Sequence, residues 1–157
     1  MLPVLAVYFH QYVNNFDDKI NLGKVLTILA VHDIGELVVG DESTMTKDHQ
    51  DSAREIEAAK SLLHPDLHSP YMEYENISSN EARYAKSIDK IAPDFYHLFT
   101  DTALLREREE DKERTTMVQH AKMKMEKKAK YMEWSPFFKA FYPALIEKYQ
   151  SLLDIDS

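Results

Sequence analysis

The sequence predicts an all-α, single-domain bundle of about six helices, and three observations predict it. Glycine is scarce: 157 residues hold three glycines and six prolines beside 44% apolar residues, which suits compact helices. Apolar residues recur at spacings of three and four, as in Leu22, Leu26 and Leu29, or Val118, Ala121, Met125, Ala129 and Met132. Helix start signals also recur, Ser78 with Glu81 and Ser135 with Pro136. The length fits one domain over residues 1–157, burying roughly 70% of its unfolded surface.

In chain order, the first helix is apolar from its start (Leu2, Val4, Leu5, Val7, Tyr8, Phe9, Tyr12, Val13) and has no capping residue in front of it. It reads as a helix entered midway, with His10 a partly exposed histidine upon it. The stretch from Asn14 to Asp18 has turn chemistry, and Asp17 or Asp18 is placed to cap the next helix. That helix is expected to run to about Glu36. Its periodicity carries Leu22, Leu26 and Leu29 on to Asp33, which puts a carboxylate on the buried stripe, while His32 and Glu36 share a neighbouring face. A buried carboxylate costs several kcal/mol unless it is paired or holds a cation. An imidazole beside it makes a donor pair suited to a divalent metal. By itself, a bare His-Asp dipeptide reads more readily as a hydrogen-bonded core histidine followed by a cap.

Leu37 to Met45 is expected to be a loop that carries Gly40 and Asp41. Residues 47–63 form an amphipathic helix with Ala53, Ile56, Ala59 or Lys60, and Leu63 inward, ending before Pro65. His49, His64 and His68 have no metal-site spacing and read as surface or loop residues. Residues 65–77 are expected to be irregular, with Tyr71, Met72 and Tyr74 packing them down. Ser78 and Glu81 have capping-box spacing, and the helix behind them aligns Ala82, Ala85, Asp89 and Ala92. Asp89 is thus a second acid on an apolar stripe, and two such acids repel without a cation between them. Glu81 reads as a cap and Lys86 as a surface lysine. Pro93 and Asp94 are expected to interrupt or kink this helix.

A charged segment follows at residues 106–114, with opposite charges paired at four-residue spacing. The stripe from Val118 to Met132 is core, and Lys122, Lys124, Lys127, Lys128 and Lys130 form its solvated face. Ser135 and Pro136 open a last helix whose inner face is Phe137, Phe138, Phe141, Leu145, Tyr149 and Leu152, bent at Pro143. Such a face closes the core or buries a homodimer surface.

A net charge of −8 argues against general affinity for a nucleic-acid backbone. The absence of cysteine excludes disulfides and thiolate metal sites. No apolar run reaches membrane-spanning length, so a soluble cytoplasmic protein with no membrane partner is expected.

His32-Asp33, Glu36 and Gly40-Asp41 together resemble the HD phosphohydrolase superfamily, and most of all its 5′-deoxynucleotidase-like branch. Residues 81–90 are similar to that family's segment carrying a distal Asp ligand. The resemblance implies an HD fold with His32, Asp33 and Asp89 as metal ligands and Glu36 and Asp41 as catalytic residues. It implies a divalent metal, manganese or cobalt first, with magnesium, zinc, iron and nickel as further options. The family has another ligand His on an earlier helix, at a position that projects to or just before Met1. The implied reaction is hydrolysis of a small phosphate ester, a nucleoside or deoxynucleoside 5′-monophosphate. Three rivals stand beside it: an HD hydrolase of another phosphorylated substrate, a catalytically silent HD scaffold, and a plain bundle whose acids pair with Lys or Arg.

Overall fold

The computed structural model describes residues 1–14, 19–40, 49–100, 123 and 126–153. Seven α-helices are assigned among them: α1 (Leu2–Val13), α2 (Leu22–Val31), α3 (Glu36–Val39), α4 (His49–Leu62), α5 (His68–Asn76), α6 (Asn80–His97) and α7 (Pro136–Leu153). A 3-10 turn at Pro65–Leu67 leads into α5, and no strand occurs among the described residues. The protein is all-α, as its composition and periodicity predict. It packs as two compact units, residues 20–85 and residues 1–19 with 86–157, and α6 runs from the first into the second. No helix among the described residues is long and apolar enough to cross a membrane.

In the unit of residues 20–85, the cap of α2 is Asn21, whose side-chain oxygen accepts the Lys24 N–H at 3.1 Å. Asp17 and Asp18 lie outside the described residues. The buried residues of α2 are Val25, Ile28, Leu29 and Val31, with Leu22 and Leu26 only half-buried. This helix is apolar nearly all round, so spacing alone could not choose its inward stripe. Packing selects the one that continues to His32, and Asp33 faces out.

On α4 the inward residues are Glu55 and Ala59, with Ile56 and Leu63 half-buried, while Ala53 and Lys60 are exposed. The segment expected to be irregular after Pro65 is helical, because Pro65 opens the 3-10 turn and α5 follows directly. His68 Nε2 donates to the Lys60 and Leu63 carbonyls at 3.1 and 3.2 Å, satisfying acceptors left over at the end of α4. Tyr71 and Tyr74 are buried from α5. Val31, Ala59 and Tyr71 form a core cluster against which Ile34, Ile56, Leu63, Leu67 and Met72 pack. Each large apolar side chain taken fully out of water there contributes about 1.5–3 kcal/mol.

The start of α6 is shifted one residue from the expected box. Ser79 Oγ accepts the Ala82 N–H at 3.1 Å and donates to Glu73 Oε2 at 2.7 Å. Glu81 does not close a capping box with Ser78. Its Oε1 accepts the Asn21 N–H at 3.1 Å, and Lys24 pairs with Glu73 at 2.8 Å.

In the unit of residues 1–19 and 86–157, α1 begins without a side-chain cap and buries Leu5, Ala6, Phe9 and Val13. The Phe9 ring meets Phe95, Phe137, Phe138 and Phe141 at centroid distances of 5.9, 5.6, 6.4 and 5.0 Å. The aromatic face of α7 therefore closes the core of this unit, and Tyr142 and Ile146 join the expected Phe138, Leu145 and Tyr149 inside. Pro93 does not interrupt α6, which stays helical to His97. Ser87 Oγ donates to the Tyr131 carbonyl at 2.7 Å and accepts from Trp134 Nε1 at 2.9 Å. Asp94, 0% exposed, takes an ion pair from Lys128 at 2.7 Å and a hydrogen bond from the Tyr142 hydroxyl at 3.3 Å. Lys128 is thus no solvated lysine. Residues 106–114, Val118, Ala121, Lys122, Lys124 and Met125 lie outside the described residues.

Candidate functional site

The helix α2 stops at Val31, short of the expected Glu36, and the reason is chemical. His32 Nδ1 donates to the Leu29 carbonyl at 2.8 Å, a side-chain bond that competes with the backbone ladder. The chain then tightens into three-residue bonds, Ile34 N–H to Val31 O at 3.2 Å and Glu36 N–H to Asp33 O at 3.0 Å. His32 and Glu36 consequently flank a turn instead of sharing one continuous helix. The short α3 follows where a loop was expected, and Gly40 ends it at φ 89°.

His32 is buried, and its ring edge meets Tyr74 at 5.0 Å and 73°. Because Nδ1 is the donor to Leu29, a neutral His32 ring carries its lone pair on Nε2. That atom lies 3.0 Å from Asp33 Oδ2. A lone pair and a carboxylate oxygen at this separation repel unless a proton or a cation lies between them. Neighbouring ligands held at about 2.1 Å on an octahedral divalent ion are roughly 3 Å apart. The pair fits a metal in donor chemistry and in spacing. Asp33 is not the buried carboxylate that the apolar stripe predicted: its side chain is 56% exposed, which leaves the pair open to solvent.

Glu36 is half-buried at the start of α3. Asp41 lies outside the described residues. Asp89 falls on α6, in the other unit, among Ala82, Ala85 and Ala92, which are all buried as expected. Its side chain is 19% exposed and pairs with Lys90 Nζ at 2.8 Å. His10 sits half-buried on α1, where its Nε2 accepts from Asn14 Nδ2 at 2.9 Å. Among the described residues no three His, Asp or Glu side chains gather closely enough to hold a metal.

Two residues around the His-Asp turn were not singled out as functional by sequence. Glu55 is a glutamate only 4% exposed, and hydropathy assigns a glutamate to the outer face of its helix. The one signal was its four-residue spacing from Ala59. Tyr71 is buried too, and its phenol is held above its ordinary range, first by burial and then by the carboxylates of Glu75, Glu55, Glu36 and Asp33. The hydroxyl therefore stays protonated in a field of acids.

The sequence profile of the HD domain family matches residues 2–132. Over 88 residues the chain is 38% identical to the 5′-deoxynucleotidase YBR242W of Saccharomyces cerevisiae, covering 47% of this chain and 37% of that protein. Over 84 residues it is 32% identical to the 5′-deoxynucleotidase HDDC2 of Mus musculus and of Homo sapiens, covering 47% of this chain and 42% and 41% of those proteins. The chain thus spans about two fifths of the length of these curated relatives. A solved structure described as a predicted metal-dependent phosphohydrolase, from Magnetospirillum magnetotacticum MS-1, has the same fold. Its TM-score is 0.70 at 23% identity, covering 96% of this chain and 74% of that one.

Proposed function

Since the chain belongs to the HD domain family, we propose that it is a metal-dependent phosphohydrolase acting on nucleoside or deoxynucleoside 5′-monophosphates, within a single HD domain and a cytoplasmic setting. The observation that carries this reading is the His32–Asp33 pair, with Nδ1 committed to Leu29 and Nε2 turned toward Asp33 at 3.0 Å. The nucleotide substrate follows the curated relatives, which are 5′-deoxynucleotidases. His32 and Asp33 hold the divalent ion, with Asp89 as the further ligand assigned by the resemblance of its segment. Manganese or cobalt is the first choice. Such an ion supplies Lewis-acid polarisation of a phosphoryl oxygen and lowers the pKa of bound water.

The remaining steps belong to side chains of this protein. The Leu29 carbonyl fixes the His32 tautomer and ring orientation, a task usual for groups behind a metal-bound histidine. Glu36, at the far side of the turn, accepts a proton from the attacking water. Asp41 binds the sugar or returns a proton to the leaving oxygen.

Phosphate release from a panel of nucleoside and deoxynucleoside 5′-monophosphates, with manganese or cobalt supplied, tests the reading. Turnover by the parent and its loss by at least a hundredfold in His32→Ala and Glu36→Gln are expected. Release from triphosphates or sugar phosphates alone would move the substrate class. One observation favours a silent HD scaffold instead: Asp89 is already paired with Lys90 at 2.8 Å, as a structural acid would be. In that case parent and His32→Ala bind no metal and release no phosphate.

A further inference from the structure

Among the described residues of the unit 20–85, tyrosines aside, only two polar or charged side chains are buried, and the backbone of one meets the turn that carries the other. One is His32 itself. The other is Glu55, which comes from α4 and has no place in the motif. Glutamates are almost never this buried unless they are paired, and Glu55 is engaged within the structure.

Two independent observations tie Glu55 to the turn. The first is contact. A Cβ on Gly35 would lie 2.5 Å from the Glu55 carbonyl oxygen and 3.0 Å from its carbonyl carbon. The backbone of α4 at Glu55 is thus pressed against the turn between Asp33 and Glu36, closer than any residue with a side chain permits. The second is shared surroundings. The carboxylates of Glu55, Glu36 and Asp33 all act on the one buried hydroxyl of Tyr71, which burial has already stripped of water.

We infer that Glu55 is a positioning residue of the cation site at the His-Asp turn: its backbone sets the height of the turn through Gly35, and its buried carboxylate adds negative charge from outside the ligand set. The inference rests on the proposed metal reading of His32 and Asp33. Its physical basis is the weak screening of a buried charge. At short range and an effective dielectric of about 20, one carboxylate alters the binding of a divalent ion by tenfold or more. Groups behind a ligand shell elsewhere alter metal affinity by about 10- to 100-fold. Asp33 is open to solvent, so its own charge is better screened than that of Glu55.

Manganese titration followed by electron paramagnetic resonance reads the affinity directly, without turnover. The chains compared are the parent, Glu55→Gln, Glu55→Asp and Ala59→Gly, each with its melting temperature recorded. Ala59→Gly weakens the same helix without touching charge. Glu55→Met replaces Glu55→Gln if the latter folds poorly. The expected result is a loss of affinity of about tenfold or more in the neutral variants, recovery toward the parent in Glu55→Asp, and little change in Ala59→Gly. Parent-like affinity in Glu55→Gln overturns the inference and leaves the metal reading standing. So does an equal loss in Ala59→Gly, which would make the effect one of helix stability. A parent that binds neither manganese nor cobalt overturns the metal reading, and this inference with it.

Discussion

Gly35 has ordinary helical angles, φ −65° and ψ −33°, so its missing side chain serves proximity and not conformational freedom. Replacing it with alanine drives a methyl into the α4 backbone at Glu55, which cannot swing aside as a side chain can. Gly35→Ala is expected to cost about 1–3 kcal/mol, read as a lower urea midpoint with the slope unchanged. Gly40 is the opposite case. Among the described residues nothing lies within 4 Å of a Cβ there, but its φ of 89° is a conformation that residues with side chains rarely adopt. Gly40→Ala is expected to destabilise by about 1 kcal/mol through backbone strain alone. An unchanged midpoint in either variant would show that the turn relaxes freely. The His-Asp pair was legible in the sequence because its residue types carry the chemistry. Its orientation was not, because an all-round apolar helix offers several stripes and only packing selects one.

Pairs of charges tie the helices together, and burial decides what each pair contributes. Asp94 on α6 has no exposure and depends on Lys128 and Tyr142. Lys128→Met strands a buried carboxylate and is expected to cost about 3–5 kcal/mol. Adding Asp94→Asn should restore much of that loss. Thermal unfolding of the single and double variants measures the coupling, and simple additivity would show that the pair is not one. The Lys24–Glu73 pair between α2 and α5 is more exposed and contributes about 1 kcal/mol or less. Burial pushes the Glu73 carboxyl up, but the Lys24 ammonium and the Ser79 hydroxyl pull it below its ordinary range overall. The unfolded chain then binds the proton more readily. Its contribution is present above the ordinary glutamate range and is lost as pH falls through the folded value. Lys24 is raised, chiefly by its bond to Glu73, so its contribution is present below the ordinary lysine range and is lost as pH rises through the folded value. Lys24→Met should flatten both limbs of a plot of urea midpoint against pH. A plot that matches the parent would show that the pair adds nothing.

For the whole molecule, a bound cation couples to stability by mass action. At a hundred times its dissociation constant, manganese should stabilise the parent by about 2.7 kcal/mol, seen as a rise in melting temperature. Asp33→Asn should show no such rise. Because Asp33 is 56% exposed, the substitution itself should leave the metal-free melting temperature nearly unchanged. A rise that persists in Asp33→Asn would place the ion elsewhere on this acidic chain, whose net charge is −8.

The sequence by itself determined the all-α class, most helices, and the residues that carry the HD resemblance, since residue type and 3.6-residue periodicity are local properties. Even the uncapped first helix and the aromatic last one were legible in this way. Tertiary structure alone decided which side of α2 faces inward. It also decided that the acid buried in this unit is Glu55, whose backbone meets the turn, in place of Asp33. These outcomes share one physical cause. Each depends on a partner distant in sequence, such as the α4 backbone against Gly35, and contacts between elements leave no periodic trace in the chain.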